Sequence, residues 1–299
     1  MAITAQEFSL LLEPKLSNIW HDEQPSEEEV YPKLFNVRDM DKATITDARL
    51  AGFGSLQAQS DGDELVYDDP ISPQEKSYTY AVRGLGYKIQ DRIWRYDLYG
   101  EVERFERDLM DSAKDDAETA AASIFINGFG TTNTGFDGLA LFSTTHTRMD
   151  GGTSQANRSS TEGALSVAQL QSALIVIDKW KNERGRPRTW NAEKLIVPSD
   201  LIHVADEILL SQLKPGTANN DKNVLTRYEL DKVRWKYLTS TTAWFIGCDK
   251  HDLNFFWAFR PETGMETDFD TDTIKRKVRQ GRAAGFGNWT GIFGDDGVA

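Results

Sequence analysis

The sequence has almost no cysteine and no long apolar run. Its single cysteine, Cys248, excludes an internal disulfide and a cysteine-cluster metal site, and its place in the run AWFIGC is typical of a small buried hydrophobic residue. No run of about 18 apolar residues is present to span a membrane. The N-terminus MAITAQEFSL also lacks the regions of a signal peptide. We therefore expect a protein that stays in the cytoplasm in which it is made.

Motifs for nucleotide binding, hydrolysis or calcium binding are also lacking. Neither a GxxxxGKS or GxxxxGKT phosphate loop nor a GxSxG nucleophile elbow occurs, and the glycine-rich stretches do not have GxGxxG spacing. The aspartates of DFDTDT, residues 268–273, imitate the start of a calcium loop, but Thr273 stands where that loop needs glycine. We interpret the segment as a solvated turn.

The histidines do not form a site either. His203 lies about one helical turn from Asp206 and from a glutamate, yet no further ligand and no HExxH pattern completes a metal site. His21, His146 and His251 are scattered along the sequence, and we interpret each as structural. The sequence therefore predicts no enzyme, no bound metal and no cofactor.

The sequence does have enough apolar material for a large core, together with a marked charge asymmetry. Of its 299 residues, 39% are hydrophobic and 11% aromatic, which suits one large domain or two smaller ones. The net charge is −13; residues 1–130 hold 26 acidic and 13 basic residues, whereas residues 131–299 hold 21 of each. This asymmetry indicates either a solvated acidic face or complementarity with a basic surface on another copy.

The start of the sequence does not resemble an independent globular unit. Residues 1–51 are weakly periodic and contain the acidic stretch DEQPSEEEV among prolines, which predicts an arm that needs a partner. From Gly52 to Tyr87, LVYD and SYTYAVRGLGYKI alternate polar with β-branched or aromatic residues around the turn-rich DDPISPQE. We expect a long two-stranded ribbon here, which is only marginally stable alone.

A long amphipathic helix from about Asp97 to Ile126 is the clearest periodic feature. We expect the helix to be roughly 45 Å long and to lie across a sheet. Replacing Phe105 or Leu109 by Asp should prevent folding, because the helix would lose its buried stripe. A polar stripe that includes Glu106 and Glu118 faces the other way. The apolar stripe consists of Leu98, Val102, Phe105, Leu109, Ala113, Ala117, Ala120 and Ile124.

A second folding unit follows a loop-rich region. Residues 128–165 are rich in Gly, Thr, Asn and Ser and predict loops around one short strand, GLALFST. LSVAQLQSALIVIDKW then predicts a helix, RTWNAEKLIVP a strand that stops at Pro198, and SDLIHVADEILLSQL another helix. We expect the apolar strands around TAWFIG and NFFWAFRP to be buried on both faces.

The closing segment holds the densest cluster of positive charge. TIKRKVRQGR could neutralise phosphates, which favours nucleic-acid binding as a rival function. Alternation along a strand, however, sends Lys275, Lys277 and Arg279 to one face and Arg276 to the other. Since the whole protein is acidic, we expect no specific nucleic-acid recognition.

Four longer segments of the sequence resemble segments of a known protein family. GLGYKIQDRIWRYDLYGEVERFERDL, GFDGLALFSTTHT, EKLIVPSDLIHVADEILLS and RKVRQGRAAGFGNWTGIFG occur in this order and span most of residues 78–299. Together they resemble the major capsid proteins of tailed bacteriophages, most closely the Mu-like head subunits. Within that family the first is similar to the extended loop running into the spine helix, and the second to a DG-x-x-LFSTxH stretch. The third resembles an LVVPxxL strand and helix of the axial domain, and the last a closing strand of the peripheral domain.

The resemblance implies an α+β fold, the Hong Kong 97-like fold of phage capsids. The expected parts are an N-terminal arm at residues 1–51, an extended β-hairpin loop at 52–88, a peripheral domain at 89–165 with its spine helix at 97–126, an axial domain at 166–261, and a return strand at 262–299 that completes the peripheral domain.

The implied function is structural. Many copies, as hexamers and pentamers, would assemble in the bacterial host cytoplasm into the icosahedral head shell of a virion, which encloses the phage genome. Scaffold, portal and decoration proteins would be separate partners, contact with packaged DNA would be non-specific, and no membrane would take part. An encapsulin-like compartment subunit that encloses a cargo protein is the alternative.

Charge complementarity supplies the candidate intersubunit contacts. We expect acidic surface of the arm or loop to meet basic peripheral surface on a neighbouring copy. Lys76 is the only lysine between Gly52 and Tyr87, and we do not expect it to form the covalent cross-link known from one branch of the family. The candidates are Glu27, Glu28, Glu29, Lys76, Arg184, Arg186, Arg188, Lys275, Arg276, Lys277, Arg279 and Arg282.

Overall fold

The computed structural model describes residues 28–62, 64–96, 101–213 and 222–298. Most of the predicted arm, the candidate contact Glu27 and Leu98 of the predicted helix lie outside these residues. The described residues form two four-stranded sheets, a two-stranded hairpin and a long helix. The predicted α+β class is therefore confirmed.

The described residues form five α-helices, ten strands and two short 3₁₀ helices. The helices are α1 (Tyr31–Leu34), α2 (Asp91–Arg95), α3 (Glu101–Ile126), α4 (Val167–Asp178) and α5 (Ile202–Leu210). The strands are β1 (Asn36–Asp39), β2 (Thr44–Ala51), β3 (Ile71–Thr79), β4 (Ala81–Gln90), β5 (Ala192–Val197), β6 (Asp231–Arg234), β7 (Trp244–Cys248), β8 (Leu253–Asp268), β9 (Thr273–Phe286) and β10 (Ile292–Asp295).

The first sheet carries the long helix α3 on one face. Its strand order is β1-β8-β9-β4, with β1 parallel to β8 and the other neighbours antiparallel. Leu109 and Ala113 of α3 pack on Val278 of β9. Alternation along β9 turns Val278 towards the helix and leaves Lys277 and Arg279 exposed. The predicted alternation of the closing strand is therefore confirmed.

The buried face of α3 differs from the predicted stripe at Phe105, Glu106 and Glu118. The sequence predicts Phe105 inside and Glu106 outside, and both predictions are wrong, since Phe105 is 41% exposed and Glu106 is 0% exposed. The remaining described positions of the apolar stripe, from Val102 to Ile124, are buried as predicted. A carboxylate occupies the inner position because Arg276 of β9 pairs with it there. The periodicity of apolar residues gives no information about such a charged partner.

The second sheet has the order β10-β7-β5-β6. β5 is parallel to β6 and antiparallel to β7, and β10 is antiparallel to β7. Trp244 and Ile246 of β7 lie in a cluster with Leu170 of α4. Phe245, between them, packs with Phe125 of α3. The prediction that this strand is buried on both faces is therefore confirmed.

An aromatic cluster joins the two sheets. Phe125 of α3 lies with its ring centroid 5.1 Å from that of Phe245 and 5.5 Å from that of Trp235. Phe35, just after α1, contacts both Phe125 and Phe255 of β8 edge to face. Because buried aromatic side chains contribute large apolar areas, this cluster makes the two sheets share one core.

The two-stranded ribbon begins earlier in the chain than predicted. Its strands are β2 and β3, so the first one falls within residues 1–51, the predicted arm. LVYD, residues 65–68, is exposed and forms no strand, and the second half of SYTYAVRGLGYKI becomes β4 of the first sheet. Alternation predicts a strand but not its partner, and β4 pairs with β9, which is distant in sequence.

The end of the chain also differs from the prediction. In the predicted return segment 262–299, β9 lies in the first sheet, but β10 pairs with β7 in the second. β8 begins at Leu253, within the predicted axial domain, yet it lies in the first sheet. The predicted strand GLALFST, residues 138–144, forms no strand and consists of bends and irregular structure. The division into arm, extended loop and domains stays a prediction.

A buried histidine fastens the glycine-rich loops to the end of the chain. His146 is 0% exposed, stacks on Trp289 with ring centroids 4.5 Å apart, and places Nδ1 2.6 Å from Oδ2 of Asp137. The side-chain amide nitrogen of Asn157 donates to backbone carbonyls, so its Oδ1, 3.0 Å away, accepts from Nε2 of His146. Burial raises the pKa of Asp137, but the hydrogen bond and charge of His146 outweigh it, and the net pKa is lowered.

We expect Leu109→Asp to prevent folding and Phe105→Asp to be tolerated, in contrast to the expectation from sequence for Phe105. Leu109 is 4% exposed, so Asp there would bury an unpaired carboxylate at a cost of several kcal/mol, whereas Asp at position 105 reaches solvent. Soluble yield and thermal unfolding of the two variants measure the difference. Equal behaviour of the two variants would contradict this orientation of α3.

The lowered pKa of Asp137 gives a pH dependence. Its contribution to stability is present above about pH 4, the pKa of an unfolded aspartate, and is lost as the pH falls through the lower folded value. We expect Asp137→Asn to lower the free energy of unfolding by about 1–3 kcal/mol at pH 7 and by less at about pH 3. Urea unfolding of unassembled subunits at both pH values tests this. A deficit that is independent of pH would rule out the assignment.

Candidate subunit contact surfaces

The outer face of the first sheet carries exposed cations on β9, and Glu262 and Glu266 of β8 lie opposite Arg279 and Lys275 on the same face. Lys277 and Arg279 project from β9 on the side away from α3. Gly264 lies beside Lys277, and a side chain at position 264 would meet the lysine's methylene groups. Lys275 points the same way but binds Asp268 at 2.6 Å, and this hydrogen bond raises the lysine's pKa. Lys277 and Arg279 are therefore the exposed cations of this strand.

Arg276 is directed into the subunit. Its Nε and a terminal nitrogen donate to the two oxygens of Glu106 at 2.8 and 2.9 Å, and the hydroxyl of Tyr87 donates to the same carboxylate. Burial lowers the pKa of Arg276, but the hydrogen bond and charge of Glu106 raise it, with a net increase. Since Arg276 is 4% exposed, the expectation of a surface contact does not hold for it.

Arg282 also fastens β9 to the helix. Its guanidinium binds Asp116 of α3, which accepts a further hydrogen bond from Gln280. Burial raises the pKa of Asp116, but the hydrogen bonds from Arg282 and Gln280 outweigh it, so the net pKa is lowered. This arginine therefore stabilises the helix on the sheet.

The arginines of the predicted axial segment divide into two groups. Arg184 donates to the carbonyl oxygens of Gly52 and Asp69, and Arg186 donates to that of Phe53. Arg188 is exposed. The first two arginines therefore contact the chain between β2 and β3 of their own subunit, and Arg188 stays a candidate for contact with a neighbour.

The base of the hairpin is also attached to its own subunit. Lys76 of β3 donates to the carbonyl oxygen of Thr134, and burial lowers its pKa. Arg49 of β2 binds Glu183 at 2.9 Å and Asn288 at 3.1 Å. The expectation that the start of the chain is held only by other copies is therefore too strong for the described residues.

The acidic candidates lie where the arm meets the long helix. Glu28 is exposed and pairs with Lys33 at 2.9 Å. Glu29 is half-buried, and its pKa is raised first by burial and then by the charge of Glu118. Glu118 accepts hydrogen bonds from the backbone of residues 30 and 31 and from the indole of Trp235. This buried glutamate anchors the first described turn.

Sequence reasoning missed several acidic anchors of the subunit. Glu106 and Glu118 were assigned to the polar stripe, although Glu106 lies four residues after Val102 and three before Leu109, on the side that these residues bury. That spacing is a signal that the sequence contains. Glu183, which holds Arg49, has no comparable signal because its partner is distant in the chain.

The segment between β2 and β3 exposes more apolar side chains than a solvated loop needs. Several exposed apolar side chains in one short segment indicate an interaction site. We call residues 52–70 the tip loop, of which the structure describes all but residue 63. Its exposed apolar residues are Phe53 (63%), Leu56 (102%), Leu65 (61%), Val66 (68%) and Tyr67 (87%).

Within the described parts of the chain, no group of three or more His, Cys, Asp or Glu side chains is placed to hold a metal ion. None of the helices described is long and apolar enough to cross a membrane. Burial raises the pKa of Cys248 to about 12, which keeps this thiol unreactive.

Comparison with protein families identifies the class of this subunit. The family model described as phage capsid protein matches residues 74–294, more than half of the chain. The chain belongs to the phage capsid protein family, and it is a structural major capsid protein that forms the head shell. No relative was found among curated protein sequences.

Several solved structures have a similar fold. The procapsid of bacteriophage JBD30 is similar with a TM-score of 0.51 at 14% identity, over 98% of this chain and 76% of that chain. The capsid of a native GTA particle gives 0.61 at 8% identity, over 91% and 94%. A chain of Mycobacterium phage Che8 gives 0.55 at 10% identity, over 91% and 92%. At these identities the matches show the fold.

The buried pair predicts unequal effects of single and double substitution. We expect Glu106→Gln to lower the free energy of unfolding by about 3–5 kcal/mol, because it leaves the guanidinium of Arg276 buried without a counter-charge. The double variant Glu106→Leu with Arg276→Met should lose much less. A double-mutant cycle by urea unfolding of unassembled subunits tests this. Additive losses would show that the two side chains are not coupled.

Proposed function

We propose that copies of this subunit join through the tip loop into hexamers and pentamers of an icosahedral shell, which encloses the genome of a tailed phage. The observation that carries the proposal is the set of apolar side chains on the tip loop, which its own subunit leaves exposed. Burying such surface on a neighbour gives a favourable contact that is repeated at every copy.

Opposite charges would orient this contact. The tip loop carries exposed Asp61 and Glu64, and the outer face of the first sheet carries exposed Lys277 and Arg279. An acidic loop of one copy then meets a basic sheet of the next, which favours the correct approach more than it adds affinity. Glu28 and Arg188 are exposed and stay candidates for a second contact.

The remaining partners follow from this role. Scaffold, portal and decoration proteins would be separate chains, assembly would take place in the host cytoplasm, and the shell wall would contact packaged DNA non-specifically through exposed lysines and arginines. The finer likeness to Mu-like head subunits belongs to the same proposal. An encapsulin-like compartment is not favoured, since the matching family and structures are phage capsids.

Assembly should depend on the basic outer face. We expect the purified protein to form closed shells, tubes or capsomers, and Lys277→Glu to raise the protein concentration needed for assembly by about two- to tenfold, because an exposed ion pair contributes about 0.2–1 kcal/mol but recurs at each copy. Negative-stain microscopy and light scattering at several salt concentrations measure this.

A control variant and a compensating variant complete the experiment. Lys179→Glu makes the same charge change at an exposed position just after α4 and should leave assembly unchanged. Combining Asp61→Lys and Glu64→Lys with Lys277→Glu should restore assembly, because the two surfaces then carry opposite charges again. Equal effects of the reversals at 179 and 277, or assembly insensitive to salt, would refute the charge-oriented contact.

A further inference from the structure

A rigid turn between α4 and β5 presents two arginines to the tip loop. Asn182 organises the turn, because its side-chain oxygen accepts from the backbone nitrogens of Arg184 and Arg186 at 3.1 and 2.8 Å. Gly185, between them, has a φ of +72°, which side-chain-bearing residues rarely adopt. Glu183 binds Arg49 of β2, which fixes the turn beside the hairpin.

Arg184 bridges the two ends of the tip loop. Its Nε donates to the carbonyl oxygen of Gly52 at 2.8 Å, and a terminal nitrogen donates to that of Asp69 at 2.7 Å. Its other terminal nitrogen lies 3.5 Å from the carboxylate of Asp68. The planar guanidinium directs donors to both ends at once, which the single ammonium of lysine does not reproduce.

Other contacts close the same neck. The backbone nitrogen of Gly54 donates to Oδ2 of Asp68 at 2.6 Å, directly across the loop. Arg186 donates to the carbonyl oxygen of Phe53 on one side. The side chain of Arg184 is only 14% exposed, whereas Leu56 and Tyr67 beyond the neck are fully or almost fully exposed. The ends of the loop are thus fixed while its apolar residues face outwards.

We propose that Arg184 is a positioning residue that clamps the neck of the tip loop in the unassembled subunit and thereby preforms the apolar surface that a second copy binds. This inference rests on the proposed function. A free loop of this length would have to be ordered when two subunits meet, and each residue that is ordered costs backbone entropy. A clamp within the subunit removes part of that cost before the encounter.

The experiment compares Arg184→Ala and Arg184→Lys with Lys179→Ala, which removes an exposed cation five residues away. In unassembled subunits, chymotrypsin cleavage at Phe53, Leu56 and Tyr67, followed by mass spectrometry, reports opening of the loop without requiring assembly. Because several hydrogen bonds are lost together, we expect Arg184→Ala to speed cleavage about tenfold or more, and Arg184→Lys to speed it less.

The same variants are then assembled. We expect Arg184→Ala to raise the protein concentration needed for assembly severalfold at an unchanged thermal unfolding temperature of the body, and Lys179→Ala to change neither quantity. Unchanged cleavage would overturn the clamp, and faster cleavage with unchanged assembly would overturn its role in preforming the contact. A wild-type protein that never assembles would contradict the proposed function, whereas the cleavage rates would still decide whether Arg184 holds the loop.

Discussion

The buried ion pair between Glu106 and Arg276 is the constraint on which the rest of the subunit depends. It fixes which face of α3 lies on the first sheet, and Arg282 with Asp116 repeats the connection two to three turns further along the helix. A buried charge pair adds little net stability but strongly disfavours other arrangements, because a shifted helix would leave both charges unpaired. The two ion pairs therefore fasten α3 to β9 at two places along the helix.

The distribution of exposed groups connects the subunit to its function. The sheet face away from the helix carries Lys277 and Arg279, and the tip loop carries apolar residues with acidic neighbours. In the proposed contact, each of these two surfaces is covered by the other on a second copy. A shell built from many modest contacts needs subunits whose contact surfaces are already ordered. The hydrogen bonds of Arg184 at the neck of the loop meet this need.

Local patterns in the sequence predicted the elements, and contacts between distant residues decided the rest. The stripe of α3, the burial of β7 and the alternation of β9 follow from periodicity, and the order of the segments indicated the family. That Glu106 is buried and Phe105 exposed could be predicted only with knowledge of the partner Arg276. That β10 lies in the second sheet could be predicted only from its pairing with β7. Arg184 was predicted on a contact surface from its charge alone, although its partners lie in its own tip loop.

The central claim is that the tip loop is covered by a neighbouring copy in the assembled shell. Photo-crosslinking from a benzoylphenylalanine placed at position 56, which is fully exposed in the subunit, tests it most directly. Cross-linked dimers whose attachment maps to the outer face of the first sheet, formed in assembled particles and absent from dissociated subunits, are the predicted result. Attachment only within the same chain, or no attachment after assembly, would contradict the account.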